Sequence, residues 1–195
     1  MIYLQYTRRV VVGSVLFIFL FFSIIAHAAN FTVNDLTDQV DASLNGICEA
    51  SSGVGDCTLR AAIQEANHVA GNSNITFSVD GTIKLNITGT GEDQSLTGDL
   101  DIEYDLTITG NGKTNTIISA KNISDRIFHV MHAGASLTLN GVRITRGGST
   151  DIDYGGAILN EDISASASIS FSKLNIVKTD IVGLNIPTED TRLSQ

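Results

Sequence analysis

The chain has 195 residues, with 21 Asp plus Glu against 12 Lys plus Arg and a formal net charge of −9. An acidic field without a Lys/Arg cluster repels phosphate backbones and anionic membrane surfaces, which argues against nucleic acid as a partner. Two cysteines, one proline, no tryptophan and 18 glycines describe a chain of many turns with few aromatic platforms.

Residues 1–28 carry Arg8 and Arg9, an apolar run over 10–25, and then Ala26-His27-Ala28. This is the pattern of a signal peptide cleaved before Ala29, which exports the chain and leaves no membrane span behind. The rival is an uncleaved anchor, because the apolar run is near the lower limit for crossing a bilayer. Cleavage removes both arginines and makes the mature chain more acidic still. Cys48 and Cys57 flank a segment rich in Gly and Ser, and in an exported chain the pair reads as a disulfide. Neither has further ligands at zinc spacing.

A helix is expected over 58–70. Leu59, Ala62, Ile63, Ala66 and Ala70 recur at helical spacing on one side, Arg60, Gln64, Glu65 and His68 fall elsewhere, and Gly71 supplies a stop. Its apolar face must rest on another layer, and the beta-rich body that follows offers one.

From Ile75 onward the pattern turns to short alternating strands, expected at 75–79, 82–87, 100–108, 116–119, 127–130, 137–139, 142–145, 155–160, 168–171 and 174–177. Leu137, Leu139, Val142 and Ile144 have apolar counterparts 32 residues later at Ile169, Phe171, Leu174 and Ile176, and Phe128 precedes Ile158 by 30. That interval suits a solenoid rung plus its loop, whereas a β-sandwich has no reason to repeat its apolar spacing so. The expected fold class is all-β: a short right-handed single-stranded parallel β-helix with an N-terminal capping helix. Its inward residues include Ile83, Leu85, Leu106, Ile108, Phe128, Val130, Leu137 and Leu139. The organisation is a leader at 1–28, a cap at 29–74, rungs at 75–182 and a short polar tail at 183–195.

The segment Cys57-Thr58-Leu59-Arg60-Ala61-Ala62 resembles the signature of the CSLREA-domain family of secreted bacterial proteins, with Thr58 and Ala61 standing for its Ser and Glu. Phe31-Thr32-Val33-Asn34 is similar to the opening of that region. Leu106-Thr107-Ile108-Thr109-Gly110-Asn111-Gly112 and the 137–145 segment are similar to rungs of its pectin-lyase-like body. Gly155-Gly156-Ala157-Ile158 resembles the GGAI motif of the polymorphic outer-membrane protein repeat. The partner motif FxxN is imperfect, since Phe171 and Asn175 stand one residue too far apart. The resemblance implies export to the surface, outer membrane or surroundings of a bacterium. It also implies more rungs than are found here, so the chain is read as truncated at its C-terminal end.

Asp99, Asp101, Glu103 and Asp105 alternate with apolar residues, and one strand through them sets four carboxylates on an outer face. They are the candidate calcium ligands, although a single strand lines oxygens up where calcium needs six to eight converging on a point. Calcium is the one cofactor candidate, and a solvated acidic face is the plainer reading. Lys84 and Arg143 are the outward bases, with no spacing that ties either to the acids. His129 and His132 lie at a strand end, where three-residue separation aims them to different sides. Asn30, Asn74, Asn86 and Asn122 begin N-x-Ser/Thr triplets and read as turn and surface residues. The expected function is non-enzymatic: an exported module that presents loops for adhesion or other contact with a surface ligand, protein or polysaccharide. The alternatives are a polysaccharide lyase or hydrolase of pectin-lyase-like fold, and a non-functional remnant.

Overall fold

A computed structural model describes residues 28–132, 134–147 and 157–160, together with the backbone of three strands at 168–172, 175–177 and 181–182. Residues 1–27, which hold all but the last position of the expected leader, Gly155-Gly156 and residues 183–195 lie outside the described residues. In chain order the elements are β1 (Asn30–Val33), α1 (Leu59–Val69), β2 (Ser73–Phe77), β3 (Gly81–Lys84), β4 (Leu100–Ile102), β5 (Leu106–Thr109) and β6 (Thr116–Ser119). There follow β7 (Phe128–Val130), β8 (Ser136–Asn140), β9 (Arg143–Thr145), β10 (Ile158–Asn160), β11 (Ser168–Ser172), β12 (Asn175–Val177) and β13 (Ile181–Val182).

The strands form three sheets, ordered β1-β2-β5-β8-β11, β3-β6-β9-β12 and β4-β7-β10-β13. Every pairing is parallel. From β2 onward the chain visits the three sheets in rotation, so each strand pairs with the one three places later. Among the described residues one short helix accompanies them, and the regular elements are otherwise strands in parallel sheets.

Register explains the apolar repeat. Ile75, Ile108 and Leu139 are successive partners in the first sheet, Ile83, Ile118 and Ile144 in the second, and Leu100, Phe128 and Ile158 in the third. All nine are buried in one hydrophobic core. Each such side chain contributes roughly 1.5–3 kcal/mol through removal from water. The 30- and 32-residue intervals are backbone register pairings: Phe128 with Ile158, Leu137 with Ile169, Leu139 with Phe171 and Ile144 with Ile176. Leu174 lies outside the described residues. Outside the core, Asn74 donates to Asn30 at 3.2 Å across the β1–β2 pairing, so these two are strand residues and not the turn residues expected, while Asn122 donates to Asn86 between two surface connections.

Helix α1 packs against β1, β2 and β4. Leu59, Ala62, Ile63 and Ala66 join the core, as the periodicity predicts, whereas Ala70, expected on the same face, is exposed. Thr58 is the N-cap, its Oγ1 accepting from the Ala61 N–H at 3.1 Å. The left-handed residue that ends the helix is Ala70 (φ 50), one position before the expected glycine stop. Cys48 and Cys57 are bonded, with Cα atoms 5.1 Å apart.

Two expectations change. The segment 100–108 is not one strand: β4 ends at Ile102, the chain turns through Glu103, Tyr104 and Asp105, and β5 starts in another sheet. Alternation survives the corner because Leu106 and Ile108 are buried like Leu100 and Ile102, but Tyr104, in the same phase, is 40% exposed. In addition, Asn30–Val33 is a full edge strand on β2, burying Phe31 and Val33.

Candidate functional site

The polar residues of α1 are not a solvated face. Arg60, Gln64 and Glu65 are buried, because two long connections fold over them: 34–57, between β1 and the helix, and 85–99, between β3 and β4. Arg60 donates to both Asp38 oxygens (Nε to Oδ1 at 2.6 Å, Nη2 to Oδ2 at 3.3 Å). It also donates to the carbonyls of Ser95, Asp99 and Gly98 at 3.0, 3.1 and 2.8 Å. Asp38 Oδ2 in turn accepts from the N–H groups of Asn86 and Ile87. One guanidinium thus joins the two connections, its fork matched to the carboxylate and its remaining donors to backbone.

Gln64 repeats the device, accepting from the Asp41 N–H at 2.7 Å and donating to the Gln94 and Ser95 carbonyls at 3.3 Å. Glu65 accepts from the N–H groups of Asn45 and Gly46 at 2.8 and 2.7 Å. Asn67 bonds the Asp101 carbonyl and the Glu103 N–H, pinning the helix to the corner after β4. The connections are therefore fixed by side chains of the helix.

The four carboxylates expected in an outward row are divided. Asp99 and Asp101 are buried, Glu103 and Asp105 half-buried. Asp101 alternates with the core residues Leu100 and Ile102 and so lies on the outer side of its sheet, but the 85–99 connection covers it. Its Oδ2 accepts from the Ser95 N–H at 2.7 Å, and its own N–H donates to Ser95 Oγ at 2.7 Å. Asp105 lies beyond the corner and accepts from Ser136 Oγ. The corner is the physical reason that these residues do not share one face.

New neighbours replace the old ones. Asp101 and His129 are register partners on β4 and β7, with His129 Nδ1 3.2 Å from Asp101 Oδ1. Asp93, exposed on the covering connection, completes a set of three whose donor atoms all lie within 4.8 Å of one another. Asp99 pairs with Arg126, which also stands 3.8 Å from Asp125. Burial, and then the charges of Asp101 and Asp125, push the Asp99 carboxyl up to about 6 against the pull of Arg126.

His132 is exposed and His129 buried, so the two do not converge. Lys84 and Arg143 both lie in the second sheet, on β3 and β9, away from Asp99 and Asp101 beside and on β4. Compared with family models, curated proteins and solved structures, the chain matches none.

Beside these groups is a cleft of about 420 Å³ lined by Leu44, Gln64, Asn67, His68, Gln94, Leu96 and Glu103. Leu44 and Leu96 are 52% and 48% exposed at its margin. Ile47 and Val54 on the same 34–57 connection are exposed as well. Among the described residues, no helix is long and apolar enough to cross a membrane.

Proposed function

We propose that the chain is an exported, non-enzymatic contact module: a short right-handed, pectin-lyase-like parallel β-helix of the CSLREA kind, delivered by its 1–28 leader to the surface or surroundings of a bacterium. The rotation of the strands through three parallel sheets, with apolar residues stacked in register, supports the β-helix reading, and the strong preference of parallel crossovers supports its hand. The observation that carries the functional reading is the clamped platform beside α1. Arg60, Gln64 and Glu65 spend their polar groups on holding 34–57 and 85–99, and those connections carry exposed Leu44 and Leu96 at the cleft and, elsewhere on 34–57, exposed Ile47 and Val54.

The carboxylates favour binding over turnover. Asp99 is engaged by Arg126 and Asp101 by Ser95, and both bases considered for a lyase lie in another sheet. The test is a glycan and protein array probed with the disulfide-bonded mature chain and with Leu44→Ser/Leu96→Ser. Saturable binding that the double variant loses, at unchanged melting temperature, supports the reading. Binding that the variant retains in full moves the contact surface elsewhere and contradicts it.

A further inference from the structure

We propose that Asp93, Asp101 and His129 form a binding site for a first-row divalent cation, zinc in the first instance, beneath the 85–99 connection. The proposal does not rest on the contact reading above, although both use the 85–99 connection.

The topology builds it. Adjacent strands of a parallel sheet stand about 4.8 Å apart, so register partners on one face bring their side chains to the same place. Asp101 and His129 are such partners, both buried. The third donor comes from the connection that lies over them, and all three donor atoms fall within 4.8 Å of one another. The Asp101 Oδ1 to His129 Nδ1 separation is 3.2 Å. A tetrahedral shell with bonds of about 2.0–2.1 Å spaces its ligands by roughly 3.3 Å.

Positioning groups surround the donors. Ser95 holds Oδ2 of Asp101 by its N–H and receives the Asp101 N–H on its hydroxyl, so Oδ1 is the oxygen turned to His129. Ser95 itself has a left-handed backbone (φ 55), and its carbonyl accepts from Arg60 and Gln64. Groups that orient a ligand from behind are what a metal site needs beyond its donors.

Charge favours a cation there. Two carboxylates meet at the imidazole, whereas the buried Asp99 and Asp125 have Arg126 as their paired cation. Exposed Asp93 is the solvent-facing member. An imidazole nitrogen among the donors selects zinc and its first-row neighbours, because calcium and magnesium take oxygen shells. Three protein donors leave a position for water. The set shares only Asp101 with the calcium row expected at Asp99, Asp101, Glu103 and Asp105.

The test is calorimetric titration of the chelator-treated, disulfide-bonded chain with zinc chloride and, separately, calcium chloride, with cobalt(II) absorption as a second readout. One zinc per chain is expected, with calcium weaker by about a hundredfold or more. Asp93→Asn, at an exposed position that leaves the fold intact, weakens zinc at least about tenfold. His129→Gln removes the tetrahedral cobalt band, and His68→Gln/His132→Gln leaves the titration unchanged. Three results overturn the proposal: no stoichiometric zinc, binding indifferent to Asp93→Asn and His129→Gln but lost with the surface histidines, or calcium bound more tightly than zinc.

Discussion

Replacing Arg60 by methionine tests the clamp at its centre. The Arg60 side chain is fully buried and that of Asp38 is 1% exposed. Methionine keeps much of the apolar contact but removes all five donated hydrogen bonds. Stripping a buried carboxylate of its cation costs about 3–5 kcal/mol. Asn86 and Ile87 still donate to Asp38, which pulls the loss toward the lower end. The carbonyls of Ser95, Gly98 and Asp99 lose a donor as well, which pulls it back up. A loss of about 4 kcal/mol follows, a large share of the roughly 5–15 kcal/mol that holds a domain together. Urea unfolding with the disulfide intact measures it. Hydrogen exchange at the Ser95 amide reports on the 85–99 connection specifically. Asp38→Asn added to Arg60→Met relieves the stranded charge, so the two changes couple by more than about 1 kcal/mol. A loss under about 1 kcal/mol, or strict additivity in the double variant, refutes the clamp.

Asp99 links stability to pH. Its carboxyl titrates near 6 in the folded chain against 3.8 ordinarily, so between those values the folded state holds more protons than the unfolded one. Stability therefore falls as pH rises from about 4 to 6, by up to about 3 kcal/mol from this group. Asp99→Asn flattens that slope in melts across the interval, and a wild-type slope of opposite sign relative to the variant counts against the assignment. Ala70→Gly relieves a side chain from the left-handed region at the helix end and raises stability by about 0.5–1 kcal/mol in denaturant titration; a loss shows that the cap is not strained. Cys48→Ser/Cys57→Ser opens a bridge of separation 9, which lowers stability by about 3 kcal/mol in the chain-entropy account. An unchanged unfolding midpoint contradicts that estimate.

The apolar architecture is legible in the sequence because side chains that stack are side chains that repeat. Phe128 and Ile158, or Ile108 and Leu139, are partners across one strand pairing, and each partner is buried and must be apolar for the same reason. Leu59, Ala62, Ile63 and Ala66 are equally legible, since a buried stripe imposes its period on the helix. The polar site is not. Arg60, Gln64 and Glu65 look solvated by periodicity, and only the fold of two aperiodic connections reveals that they are covered. The row from Asp99 to Asp105 keeps its alternation through a corner at 103–105, so period alone gives no sign of the turn. Asp101 and His129 meet at a separation of 28, unlike the 30 and 32 of the apolar repeat, because connection lengths differ from one circuit to the next. His129 reads as an isolated strand residue until the register of β4 and β7 is known.

The central claim, that this is a surface for contact and not for turnover, meets its most direct test in one measurement. The mature chain is incubated with a panel of acidic polysaccharides, with and without calcium, and unsaturated product is followed by ultraviolet absorbance. The clamped carboxylates and the distant bases predict a flat trace under both conditions. A calcium-dependent rise in absorbance, abolished in a folded Asp101→Ala variant, would contradict the account.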